Sequence, residues 1–264
     1  RRRHTRFRNV TGVQTCALPI SALTPLEQQG LNEFRNGASQ CMNCHNGAET
    51  TAAGFSVVRQ RVAAPGPAIP GNFGLFRIGV TPIEQDIGMG ANDDFGQPLF
   101  AANPALAAGV FKAPALRNVE FTGPYFHDGG QATLEQVLLF YSRNGDFPQG
   151  GNLGPGIGAI RLGANDRTEI VAFLKALSDD RVRYQRAPFD HPSLCVPNGH
   201  VTYDTGELAV DTAQPGVIAQ DKWALVEAVG NEGASAPLQT FEELLNGTGA
   251  DGSRANNMTT TCTP

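Results

Sequence analysis

Apolar residues fall at helical spacing in several stretches of this chain, and polar, glycine- and proline-rich stretches separate them. Thr24-Pro25-Leu26-Glu27 is a helix start, with an N-cap threonine, proline at the first helical position and a glutamate that completes a capping box. Leu26, Leu31 and Phe34 give that helix an apolar face, and Gly37 is placed to stop it. A short helix is expected over Gln40 to Asn46. Thr133 caps a helix over Leu134 to Ser142 that ends near Gly145. Asn165 caps a stronger one, in which Ile170, Phe173, Leu174 and Leu177 follow the i, i+3, i+4, i+7 pattern. Residues 49–110 read as loop, punctuated by Pro65, Pro67 and Pro70, and a loop of that length is unusual unless it wraps something. Arg181 to Pro192 leaves the helical pattern. Beyond it, residues 193–264 form a tail with a helix expected over Val217 to Val229, around Trp223, and a shorter one over Leu238 to Leu245. The chain has no internal repeat. The pattern predicts a mainly α fold with long loops and a C-terminal extension.

Composition sharpens this picture. The 264 residues include 31 Gly and 18 Pro, well above the average of about 12% for the two together. A loop-rich chain of this kind is expected where a buried cofactor supplies part of the core. No apolar stretch approaches the roughly 20 residues of a membrane span. Residues 1–21 stand apart. Val10 to Ser21 resembles the in-frame translation of a short-read sequencing adapter, and Arg1 to Arg6 resembles the primer that precedes it. Neither a basic nucleic-acid arm nor a signal peptide fits the segment, because its apolar run, Ala17 to Ile20, is too short. It is expected to be an artefact, with the native chain starting near Ala22 and its true N-terminus lost. Without the five arginines of that segment, 15 basic residues face 25 acidic ones, a net charge of −10 rather than −5. No basic surface remains to suggest nucleic acid as a partner.

Cys41-Met42-Asn43-Cys44-His45 carries the chemistry. C-x-x-C-H is the attachment signature of a c-type haem. Two thiols one turn apart add to the porphyrin vinyl groups, and the following imidazole reaches the iron. The competing reading is half a zinc site, but the sequence has no second C-x-x-C or H-x-x-x-H pair to supply four ligands. Phe55, Phe73 and Phe76 are candidates to pack on the porphyrin or to fill ordinary core. Cys195 and Cys262 remain as a pair late in the chain. A disulfide between them would suit an oxidising compartment such as the periplasm, and two unrelated buried thiols are the alternative. His191 and His200 flank Cys195 without ligand spacing; they read as surface loop, with a small metal site as the alternative.

A second block runs from Gly109 to Gly130, "GVFKAPALRNVEFTGPYFHDGG". Together with Cys41 to His45, "NFGLFRIGVTPIEQDIG" (72–88), "TLEQVLLFYSRNG" and "IVAFLKAL", it resembles the C-terminal haem domain of the bacterial di-haem cytochrome c peroxidases, including their MauG-like branch. The resemblance covers about residues 23–192 and divides the chain into an artefactual 1–21, a cytochrome c-like haem domain at 22–192 and an extension at 193–264.

The resemblance implies the rest of the site. Cys41 and Cys44 tether the haem and His45 is the proximal ligand. The distal ligand falls on Tyr141, the fourteenth residue after His127, where peroxidases of the family carry methionine and the MauG-like branch carries tyrosine. A hard phenolate favours ferric iron over ferrous. Tyr141 as a plain core aromatic and Met89 as a rival ligand stay open. His127 is implied as a catalytic-site residue of the distal region, able to hydrogen-bond near the axial ligand, with a buried structural histidine as the alternative. Lys112 and Arg117 match positions suited to haem propionates, and surface charge is the other reading. Thr122 and Pro124 match positions whose carbonyls help bind calcium between two haem domains. By the same resemblance the whole protein would be a periplasmic di-haem oxidoreductase. It would carry a second haem in an N-terminal domain and act on peroxide with a small redox protein as donor, or oxidise a protein substrate. A stand-alone mono-haem electron carrier is the alternative, and a C-x-x-C protein without haem is the third reading.

Overall fold

The computed structural model describes residues 23–62, 73–86, 108–149, 153–201, 209, 219–246 and 262. The segment 1–21 and Met89 lie outside them. The chain divides into two compact units, one ending at Ser178 and the other beginning at Asp179. The boundary drawn from sequence at 192 lies within the second unit.

In the first unit, α1 (Pro25–Arg35) starts as its sequence dictates. The Thr24 hydroxyl accepts from the Glu27 N–H, and the Glu27 carboxylate accepts from the Thr24 N–H at 2.7 Å. Leu31 and Phe34 are buried, whereas Leu26, expected on the same face, is exposed. Residues 49–110 are not all loop: α2 (Phe55–Val62) forms there, and β1 (Leu75–Phe76) pairs antiparallel with β2 (Phe111–Lys112). α3 (Leu134–Ser142) begins at the Thr133 capping box, and Gly145 follows it at φ +87°. α4 (Ala164–Ala176) starts earlier than the Asn165 cap implied. Its N-cap is Gly163, whose N–H donates to the Asp166 carboxylate at 2.8 Å.

The core of this unit joins α1, α3 and α4 through Leu31, Phe34, Leu134, Leu138, Ile170 and Phe173. α1 meets α4 at Gly30, where a Cβ would lie 1.8 Å from the Glu169 carbonyl oxygen. Only glycine allows so close an approach. Buried Arg77, just after β1, donates to the carbonyls of Phe147 (2.8 Å) and Gln149 (2.7 Å), tying the segment after α3 to the small sheet.

The second unit contains α5 (Asp180–Arg183), β3 (Leu194–His200), β4 (Asp221–Val226) and α6 (Phe241–Leu245). Within the span expected to be a helix, Val217 to Val229, residues Asp221–Val226 instead form the strand β4, antiparallel to β3 with Cys195 opposite Leu225 and Pro197 opposite Trp223. Pairing with β3 overrides a helical pattern that was never strongly periodic. Cys195 in β3 is disulfide-bonded to Cys262. The first unit is thus helical around its core, and the second is built on a β-ladder. Among the described residues, no helix is long and apolar enough to cross a membrane.

Candidate functional site

The C-x-x-C-H segment forms not the expected helix over Gln40 to Asn46 but a single tight 3-10 turn, Cys41–Asn43. Gln40 enters it in the left-handed region, at φ +57°. The Cys41 carbonyl then accepts from the N–H groups of both Cys44 (3.2 Å) and His45 (2.9 Å). One turn therefore gathers two thiols and an imidazole.

The neighbouring chain locks that turn in place. The Ala52 N–H donates to the Cys44 carbonyl at 2.7 Å. Buried Thr50 accepts from the Leu116 N–H at 2.8 Å, and the Thr51 hydroxyl donates to the Ala113 carbonyl at 2.5 Å. The segment 113–116, stitched down in this way, supplies the Pro114 carbonyl that lies 3.2 Å from His45 Nδ1. A carbonyl only accepts, so Nδ1 carries the proton and Nε2 keeps its lone pair. This is the arrangement that orients a metal-binding histidine.

Cys41, Cys44 and His45 open on a cavity of about 550 Å³, within the range of cofactor sites. Its lining is mainly apolar, with Phe34, Phe76, Leu138 and Ile170 among the contributors. Tyr141, Lys112, His127, Thr122 and Pro124 border the same cavity. Eight of the implied residues, spread from 41 to 141, thereby border one space. Arg117 does not line it: its guanidinium is exposed and donates to the Ala48 carbonyl at 2.9 Å. Of the three phenylalanines, Phe76 lines the cavity, Phe73 does not, and Phe55 is 75% exposed.

Burial governs the charge states. It pushes the Cys44 thiol up to about 12, against an opposing pull from Arg61, and it raises Cys41 as well. It lowers the pKa of His45 and raises that of the Tyr141 phenol. Cys41, Cys44, His45 and Tyr141 are thus neutral at neutral pH. A neutral imidazole is the form that ligates iron. The donor set, the apolar lining and the volume all fit a haem attached through Cys41 and Cys44.

No family model matches the chain. Among curated proteins, it is 32% identical over 164 residues to the cytochrome c551 peroxidase of Nitrosomonas europaea, covering 61% of this chain and 36% of that protein. It is 36% identical over 93 residues to the methylamine utilization protein MauG of Methylorubrum extorquens, covering 35% of this chain and 26% of MauG. This chain is related to the cytochrome c peroxidases and MauG. Among solved structures, it is similar to a MauG-like protein associated with microbial copper homeostasis. The TM-score is 0.45 at 28% identity, over 64% of this chain and 51% of that one. The chain spans little more than a third of the length of the Nitrosomonas peroxidase it matches.

Within this peroxidase- and MauG-related chain, sequence reading passed over four groups that shape the site. Thr50 and Thr51 form an adjacent pair of hydroxyls beside the haem motif, a readable signal. The Pro114 carbonyl has no side-chain signature. Asp86 and Phe126 sit inside the resembling segments but carry no motif role. Asp86 is buried, with Oδ2 3.1 Å from His127 Nε2. Phe126 presents its ring edge-on to Tyr141, with centroids 6.0 Å apart.

Proposed function

We propose that the first unit is the haem c-binding, electron-transfer domain of a periplasmic di-haem oxidoreductase of the cytochrome c peroxidase and MauG kind. The observation that carries this reading is the convergence of Cys41, Cys44, His45 and Tyr141 on one apolar cavity. The relatives' names support the enzyme class.

Haem c, when bound, supplies an iron that takes and gives single electrons. The chain's own residues do the rest. Cys41 and Cys44 would tether the porphyrin edge. His45, its Nδ1–H held by the Pro114 carbonyl, would present Nε2 to the iron. Tyr141 would be the distal ligand, losing its proton on binding, and as a hard anion it would lower the reduction potential. Lys112 at the cavity border would neutralise a propionate. The apolar lining excludes water and limits reorganisation around the metal. His127 would belong to the distal region. Thr122 and Pro124 carbonyls would contribute to a calcium site completed by a second haem domain. That domain would hold the peroxide-reacting haem, and a small redox protein or a protein substrate would exchange electrons with the assembly.

The test is expression in a host competent for cytochrome c maturation. The chain is expected to purify coloured, with haem that stays on the polypeptide through denaturing electrophoresis and is lost in Cys41→Ser/Cys44→Ser. A colourless wild-type product would sink the proposal. Peroxide turnover should be low in this chain alone and rise when a domain with a second C-x-x-C-H is supplied in cis. Robust turnover without it would contradict the di-haem reading.

A further inference from the structure

Around Tyr141, the chain builds a support that also lines the cavity and reaches from Asp86 to the phenol. Its outer end is Asp86, whose buried carboxylate meets His127 Nε2 at 3.1 Å. The His127 ring stacks on Phe111 of β2, with centroids 3.9 Å apart and planes 14° from parallel. The imidazole is therefore held both in its plane, by the carboxylate, and on its face, by the ring. On the other side of the turn, the Tyr125 N–H donates to the Gln131 carbonyl at 2.7 Å.

Between these two anchors, Phe126 sits at φ +67°. A bulky side chain enters the left-handed region only where its surroundings impose it, and such residues concentrate at functional sites. Here the imposed conformation sends the Phe126 ring against α3. It lies 4.5 Å from the Phe140 ring and edge-on to Tyr141, at 83°. Phe140 is fully buried and also meets Tyr141 edge-on, at 5.3 Å and 81°. Two rings at right angles thus fix the plane of the phenol.

We propose that Asp86 is a positioning residue: by anchoring His127 it holds the Phe126 turn that sets the ring of Tyr141. In this arrangement His127 acts through its neighbour Phe126. The inference rests on the reading of Tyr141 as axial ligand and deepens it, because a phenol held in one plane reaches one point in the cavity.

The experiment uses the haem-loaded chain and reads its ferric absorption and electron paramagnetic resonance spectra, its reduction potential, haem content and melting temperature. Tyr141→Phe defines the spectrum without the phenol. Asp86→Ala is expected to move the spectrum towards that of Tyr141→Phe and to raise the potential, with haem content unchanged. Asp86→Asn, whose amide oxygen still accepts from Nε2–H, should restore the wild-type spectrum. Phe126→Leu should reproduce the Asp86→Ala spectrum with Asp86 intact, and it carries the test if Asp86→Ala does not fold. Wild-type spectra in Asp86→Ala and Phe126→Leu, alongside an altered Tyr141→Phe, would overturn this inference alone. An unaltered Tyr141→Phe would overturn the axial assignment and this inference with it.

Discussion

Under the proposed haem reading, single residues would set the redox character of this site. Tyr141 borders the same cavity as His45, and burial favours its neutral phenol. If Tyr141 is the ligand proposed above, its phenolate would favour ferric over ferrous iron. Replacing it by a soft thioether reverses that preference. Tyr141→Met is expected to raise the reduction potential of the haem-loaded chain, measured by spectroelectrochemical titration, and an unchanged or lowered potential would contradict phenol ligation. Thr50 acts at the same scale through a hydrogen bond. Its hydroxyl is the partner of the buried Leu116 N–H. Thr50→Ala strands that donor and should cost about 1–3 kcal/mol in urea unfolding, with alanine meeting the same φ of +53°. Both residues were within reach of sequence reading to different degrees. Tyr141 had a motif to count from, whereas Thr50 works through a partner 66 positions away that no local pattern reveals.

At the level of elements, caps and periodicity were legible where their partners are local. Thr24 and Thr133 close capping boxes within three residues of themselves, and α1 and α3 start where those boxes place them. Elements defined by distant partners were not. β4 carries residues that suit a strand or a helix, and its ladder with β3 decides between them. α2 arose in a stretch whose glycines and prolines hid it. The crossing of α1 and α4 depends on Gly30, which looks like a helix weakness in isolation. Intrinsic propensity predicts that Gly30→Ala stabilises by up to about 1 kcal/mol. The 1.8 Å approach to the Glu169 oxygen predicts the opposite sign, a loss of about 1–3 kcal/mol from overpacking. Thermal melting of the haem-free variant discriminates between them, and a raised melting temperature would refute the close crossing.

For the whole molecule, the division at 178/179 separates two kinds of stabilisation. The first unit surrounds an apolar cavity with helices. The second has a β-ladder and a disulfide, and the bond joins residues 67 positions apart. Closing a loop of that length is worth about 4 kcal/mol in the chain-entropy model. Removing the bond as Cys195→Ser/Cys262→Ser should therefore lower the unfolding midpoint of the second unit, followed by Trp223 fluorescence, and leave the ferric haem spectrum in place. A ferric haem spectrum that changes in that variant would show that the disulfide also bears on the haem site.

What the amino-acid sequence determined by itself was local chemistry: two thiols and an imidazole within five residues, and capped helix starts. These follow from short-range stereochemistry, which is the same wherever the segment sits. Tertiary structure decided which of those groups share one cavity and which carbonyl fixes the His45 tautomer. It also placed Arg117 on Ala48, away from the cavity, and it brought Asp86, His127, Phe126 and Tyr141 into sequence along one support. Those outcomes depend on contacts between residues tens of positions apart. Such contacts exist only once the α1–α4 crossing and the small β1–β2 sheet have brought their segments together, and so no local pattern encodes them.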